Sequence, residues 1–66
     1  MDRTERLYKI DLWLNEQPGI SFDSLMERLE VSRATLKRDL AYMKDRLNAP
    51  IVHDRFIGGY RFDKET

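Results

Sequence analysis

The sequence contains no cysteine, which excludes disulfide bridges, cysteine-ligated zinc sites and thiol nucleophiles. Small secreted scaffolds usually depend on such bridges, so their absence favours a reducing compartment, and we expect a cytoplasmic protein. The apolar runs are only a few residues long, far shorter than a membrane span or a signal-peptide core. We therefore expect no association with a membrane.

The chain is short and contains a single histidine. With 66 residues it forms one domain at most, and a domain of that size buries only about 60% of its unfolded surface. It has no volume for a large active-site cavity beside a core, so an enzyme is disfavoured. His53 has no second histidine with which to share a metal ion, and we expect neither a metal nor another cofactor.

The chain also lacks a net charge, but its charges are unevenly distributed. Residues 1–31 carry four basic and seven acidic side chains, a net charge of −3. Residues 32–62 carry seven basic and three acidic side chains, a net charge of +4, and the last residues contribute −1. A basic half beside an acidic half is a weak indication of contact with nucleic acid.

Hydrophobic periodicity predicts three helices followed by a hairpin. The helices are expected at about 3–16, 22–29 and 33–47, and the hairpin at about 51–62. The expected fold class is mainly α with a small β-hairpin, in a single domain over residues 1–66.

Caps and periodicity support these helices. Each predicted helix follows a side chain that can cap its first turn: Asp2, Ser21 and Ser32. The third helix has the clearest apolar stripe, formed by Leu36, Leu40, Met43 and Leu47. Its opposite face carries Ala34, Arg38, Ala41 and Asp45, flanked by Arg33, Lys37, Tyr42 and Lys44.

The connections give further expectations. The segment around Ile20, between the first two helices, is too short to form more than a bridging strand. Trp13 is expected in the core. Gly58 and Gly59 are expected to supply the positive φ angles that the hairpin turn needs. No phosphate-binding glycine motif surrounds these two glycines.

A short helix, a tight turn and a longer basic helix form the layout of a helix-turn-helix, whose second helix can enter the major groove of DNA. Long donors near the start of that helix suit base edges and phosphates, and the small Ala34 could touch a thymine methyl group. The candidate DNA-binding residues are Ser32, Arg33, Ala34, Thr35, Lys37, Arg38, Tyr42, Lys44, Arg55 and Arg61.

Some of these positions have a structural alternative. Arg33 and Lys37 could form a solvated helix face, although the turn, the cap and the hairpin together favour DNA contact. Beside Arg38, Asp39 either tethers a basic neighbour or serves the structure alone. Tyr42 either donates to a phosphate or packs at the helix edge.

Apolar side chains at the hairpin turn and on the first helix are candidate interfaces. Phe56 and Ile57 could fold back on the core, pack against a further domain or press on DNA sugars. Tyr8 and Leu12 form an i, i+4 pair that either extends the core or contacts a second copy or a further domain. Arg55, beside Phe56 in the hairpin turn, could enter the minor groove, lie along the DNA backbone or be an ordinary solvated charge of the turn.

Three segments carry a family resemblance. Residues 31–40 read VSRATLKRDL, residues 49–51 read API, and residues 58–62 read GGYRF. Together they resemble the N-terminal winged helix-turn-helix of DeoR-like bacterial transcription regulators, most closely the branch in which this domain precedes a WYL domain. The resemblance extends from about Arg6 to Phe62.

The resemblance implies a recognition helix from Ser32 to Leu47 and a DNA-touching wing from about Asp54 to Gly59. It also implies a homodimer that acts on a promoter or operator. Because the chain stops at Thr66, before any effector domain, we expect it to be part of a longer regulator with a WYL-type effector domain.

The expected function is therefore sequence-specific binding of double-stranded DNA in a transcription regulator. The alternative is a winged-helix module for protein–protein interaction without DNA binding, which would use the pair Tyr8 and Leu12 or the hairpin turn.

Overall fold

Each helix begins where a polar side chain satisfies free amide groups of its first turn. The computed structural model describes residues 1–63, and in it the carboxylate of Asp2 accepts a hydrogen bond of 2.8 Å from the amide three residues on. Ser21 and Ser32 do the same at 3.1 and 3.2 Å, so all three predicted caps are confirmed. The helices are α1 (Arg3–Glu16), α2 (Phe22–Leu29) and α3 (Arg33–Asp45).

The turn between α2 and α3 is closed by the end of α2 itself. Glu30 has a φ of 55°, in the left-handed region, and its amide donates to the carbonyl of Glu27. The amide of Val31 donates to the carbonyl of Met26 at 3.2 Å. This pair of bonds is a Schellman end, which reverses the chain within a few residues and lets α3 start immediately.

A two-stranded antiparallel hairpin follows α3. Strand β1 (Ile51–Asp54) pairs with β2 (Gly59–Phe62), and the register places Ile51 opposite Phe62. Residues 55–58 form the turn. Three helices and this hairpin make a mainly helical winged helix-turn-helix, as predicted, with the hairpin as the wing.

The connection between α1 and α2 extends the hairpin by one bridge. The amide of Gly19 donates to the carbonyl of Tyr60, and the amide of Tyr60 donates to the carbonyl of Ile20, both at 2.8 Å, so the predicted bridge is confirmed. Gly59 is buried here, and a Cβ added to it would overlap the carbonyl group of Gly19. Of the two turn glycines, Gly58 has a positive φ of 74° and Gly59 does not, so the expectation for Gly59 was wrong. Close backbone approach is what requires glycine there.

One apolar core joins all five elements. Trp13 is half-buried and packs against its edge, while the buried apolar side chains come from each helix, the α1–α2 connection and β1. The buried apolar residues are Ile10, Leu14, Ile20, Leu25, Leu29, Leu36, Leu40, Met43 and Ile51. Within residues 1–63, no helix is both long enough and apolar enough to cross a membrane.

The end of α3 differs from the prediction. The helix ends at Asp45, not at residue 47, and Leu47 is 54% exposed although the apolar stripe placed it in the core. Asn48 has a φ of 54°, and the amide of Ala49 donates to the carbonyl of Met43. The chain therefore turns away to start β1 before Leu47 can complete the stripe.

Candidate nucleic-acid interface

The outward face of α3 is basic because its inward face is used by the core. Leu36, Leu40 and Met43 are buried, which leaves the residues at the other helical angles in solvent. We call this exposed set the α3 face, and it consists of Ser32, Arg33, Ala34, Lys37, Arg38, Ala41, Lys44 and Asp45. Four of its members are cations and one, Asp45, is a carboxylate.

Most of these cations have no acidic partner. Across residues 1–63, Lys37, Arg38 and Lys44 make no ion pair, and Arg33 makes a long contact of 3.7 Å with Asp23. That contact is solvent-exposed, and exposed pairs of this kind contribute little to stability. The α3 face therefore presents positive charge that is available to an anionic partner.

The start of α3 adds hydroxyl groups to this charge. Ser32 caps the helix, and its Oγ lies 3.1 Å from Oγ1 of Thr35. The guanidinium of Arg33 stacks over the ring of Phe22, 5.1 Å from the centroid, which ties it to α2. Hydrogen-bond donors and the positive end of the helix dipole therefore lie together at the start of α3, an arrangement that suits phosphate oxygens.

Two grooves flank α3. The wing groove, of about 550 Å³, lies between α3 and the hairpin and is lined by Lys37 and Lys44 from the helix and by His53 from β1. The α1 groove, of about 390 Å³, lies between α3 and the start of α1. Ala41 lines both, so the helix forms the ridge between them.

A buried ion pair fixes α3 against α1. The Arg6 guanidinium donates to both carboxylate oxygens of Asp39, from Nε at 2.7 Å and from Nη2 at 3.2 Å, and Asp39 is only 3% exposed. These bonds raise the pKa of Arg6 above its ordinary value. Of the alternatives for Asp39, the structure therefore has it tether a basic neighbour, and that neighbour is Arg6.

Tyr42 is half-buried at the edge of α3, where Arg3 stacks on it. The Arg3 guanidinium lies 3.7 Å from the centroid of the Tyr42 ring. Tyr42 therefore packs at the helix edge, and it also lines the α1 groove. Contact of Tyr42 with a phosphate remains a prediction.

The wing turn is held by one carboxylate. Asp54 accepts from the amide of Phe56 at 2.8 Å through Oδ1 and from Arg61 Nε at 2.8 Å through Oδ2. The Arg61 and Phe56 hydrogen bonds hold the pKa of Asp54 below its ordinary value. Arg61, predicted to touch DNA, is thus engaged inside the hairpin, and it also lies 3.9 Å from Asp63.

The tip of the wing is exposed. Phe56 is 100% exposed, which excludes the expectation that it folds back on the core. Ile57 is half exposed and approaches Gly19 of the α1–α2 connection, and Arg55 is exposed beside Phe56. The wing therefore offers one aromatic ring and one guanidinium to whatever it meets.

The other apolar candidates lie on α1. Tyr8 is 67% exposed and Leu12 is 40% exposed, so this pair does not extend the core. Sequence reasoning missed Arg3, Arg6 and Arg46, which line the α1 groove, because each directly follows an acidic residue or stands close to one. The three arginines come together only in the tertiary structure, because the groove forms when α1 packs on α3.

Comparison with known families agrees with this geometry. The profile of the helix-turn-helix (HTH) domain family matches residues 6–61, which contain all three helices apart from the first residues of α1 and nearly all of the hairpin. No curated protein and no solved structure matches the chain. On the extent of the profile match, the chain belongs to the HTH domain family, a family of DNA-binding domains.

Proposed function

We propose that this chain is the DNA-reading domain of a bacterial transcription regulator and binds double-stranded DNA sequence-specifically, with α3 in the major groove. The α3 face carries this proposal, because one side of a single helix presents four cations, three of which make no ion pair within residues 1–63. The major groove is about 12 Å wide and accepts one helix with its side chains. A helix anchored by an apolar back and a buried ion pair can hold that position.

Base readout is assigned to the first two turns of α3. Arg33 and Lys37 have the length to reach acceptors on guanine, and Ala34 is small enough to touch a thymine methyl group. We assign the hydroxyls of Ser32 and Thr35 to the sugar–phosphate backbone, and Lys44, at the far end of the helix, extends the charge along the groove. Phosphate contacts set the position, and base contacts set the preference.

The wing is assigned to the neighbouring backbone or minor groove. Arg55 supplies a guanidinium for a phosphate or for the minor groove, and the exposed Phe56 presses on DNA sugars. Asp54 stabilises the turn through its hydrogen bonds with the amide of Phe56 and with Arg61. We therefore give Arg61 a supporting role in the wing, with any DNA contact secondary.

The wider setting of the domain is also part of the proposal. The resemblance to DeoR-like regulators supports a bacterial, cytoplasmic protein in which this domain precedes a WYL-type effector domain. A single domain of this size reads only a short half-site, so useful specificity requires a homodimer on a two-fold operator.

The proposal is tested by titrating a fluorescent duplex, selected from a random library, with the domain. We expect binding that weakens steeply with salt, with a log–log slope of about −0.9 for each phosphate neutralised. Lys37→Ala is expected to weaken binding to the selected duplex by about 1–3 kcal/mol and to weaken binding to random DNA much less, because Lys37 reads a base. Fluorescence anisotropy measures both affinities.

Arg28→Ala is the matched control, since it removes one positive charge from α2 where Arg28 faces Trp13 and Gln17 of the α1 end. It should leave duplex binding unchanged. Equal losses on selected and random DNA for Lys37→Ala would reassign Lys37 to a phosphate. Absence of binding to any duplex at low salt would contradict the proposal and favour the protein-interaction alternative, for which the exposed Tyr8 and Leu12 are the specific observation.

A further inference from the structure

We propose that the α1 groove is a binding site for one phosphodiester group of the DNA backbone, with Arg3 and Tyr42 as its central residues. This inference rests on the proposed placement of α3 in the major groove. It assigns a role to the start of α1, where no DNA-binding residue was predicted, and it names the phosphate backbone opposite the wing as the ligand.

The groove carries an excess of positive charge. Four arginines line it, and one of them, Arg6, is paired with Asp39. Arg3, Arg38 and Arg46 make no ion pair within the described part of the chain, and Asp45 is the one other carboxylate on the lining. Three guanidinium groups against one carboxylate favour an anion, and the planar fork of arginine matches phosphate oxygens.

Two of the groups are already positioned. Arg3 lies 3.7 Å over the Tyr42 ring, which restricts a long side chain that would otherwise sample many rotamers. The Tyr42 hydroxyl makes no hydrogen bond to any residue among 1–63, so it remains a donor for a phosphate oxygen. A stacked guanidinium beside an unused phenol is a preorganised donor pair.

The position of the groove selects DNA as the source of the phosphate. The major groove is bounded by two phosphate backbones, so a helix lying in it has one backbone on each side. The two grooves of the protein flank α3 in the same way, since Ala41 and Asp45 line both. When the wing groove covers one backbone, the α1 groove faces the other.

Salt-dependent binding of the selected duplex by Arg3→Ala tests this inference. We expect affinity at fixed salt to fall about 3- to 10-fold, equally for selected and random duplexes, and the log–log salt slope to become shallower by about 0.9. Tyr42→Phe, which keeps the ring under Arg3 and removes the hydroxyl, should weaken binding without changing the slope. Lys9→Ala, which removes a charge from the same helix, is the control, because Lys9 pairs with Glu5 and is absent from the groove lining.

A scan with single neutral methylphosphonate linkages locates the contacted phosphate. One position in each half-site should weaken the wild-type domain and have no effect on Arg3→Ala. The inference is overturned if the wild type binds DNA and Arg3→Ala has the wild-type slope and the wild-type sensitivity at every linkage. It is also overturned if NMR shows that inorganic phosphate saturates the site around Arg3 and the affinity for the duplex is unchanged in the presence of that phosphate. If the wild type binds no duplex, the proposed function fails together with this inference.

Discussion

Gly59→Ala should destabilise the domain by at least about 2 kcal/mol, because the added methyl group has no space. Gly59 is buried at the start of β2, where a Cβ would overlap the carbonyl group of Gly19 and lie 2.6 Å from the carbonyl carbon of Ile20. These are backbone atoms, so they cannot move aside without breaking the bridge between Ile20 and Tyr60. A domain of this size has a free energy of unfolding of only about 3–10 kcal/mol. The loss should be visible as a lower urea midpoint in circular dichroism.

Gly58→Ala is the matched control for this prediction. Gly58 has a positive φ of 74° but nothing lies within 4 Å of an added Cβ, so the cost is that of left-handed backbone alone, about 1 kcal/mol. If the two variants lose the same free energy of unfolding, close packing of Gly59 on the α1–α2 connection is not what requires glycine there.

Arg6→Met should lower the urea midpoint more than removal of any exposed ion pair does. The substitution keeps an apolar stem of similar length but leaves the buried carboxylate of Asp39 without the two hydrogen bonds that Arg6 supplies. An unpaired charge in the interior is strongly unfavourable. Lys9→Met gives the reference, because the Lys9–Glu5 pair is exposed and pairs of this kind contribute about 0.3–0.5 kcal/mol.

The double variant Arg6→Met with Asp39→Leu separates pairing from packing. Since both charges are then absent, the double variant should be more stable than Arg6→Met alone. Such recovery would show that the two groups are coupled across α1 and α3. The prediction is contradicted if Arg6→Met has the urea midpoint of Lys9→Met, or if the double variant is no more stable than Arg6→Met alone.

Local signals in the sequence were sufficient for the elements of the fold. Asp2, Ser21 and Ser32 cap the helices as predicted, because capping depends on residues only three apart. The end of α3 was missed because the apolar period continues to Leu47 although the backbone does not. Asn48, in the left-handed region, redirects the chain to β1, and periodicity carries no signal for that turn.

Interactions between distant segments could not be predicted in the same way. Gly59 looked like a turn glycine, but it packs on a segment 40 residues earlier in the chain. Asp39 could be placed near the core, whereas its partner Arg6 is on another helix and 33 residues away. Arg61 was predicted to touch DNA from its charge alone, and its pairing with Asp54 depends on the hairpin register.

The residues of the candidate site that lie on α3 alone were predicted from the sequence. Those that depend on the packing of α1 against α3 were missed. The exposure of Arg33, Lys37 and Arg38 follows from the buried stripe on the other side of α3. Arg3 gave no such signal, because stacking on Tyr42 arises only when α1 and α3 pack together. Residue contacts with DNA remain predictions until they are measured.

The central claim is that the α3 face binds duplex DNA, and an NMR titration of the domain with the selected duplex tests it most directly. We predict that amide shift changes concentrate at residues 32–44 and at the wing turn around Arg55, and that they diminish as salt is raised. The amides of Tyr8 and Leu12, on the exposed side of α1, should remain near their free positions. Shift changes confined to Tyr8 and Leu12, with residues 32–44 unaffected, would contradict the account.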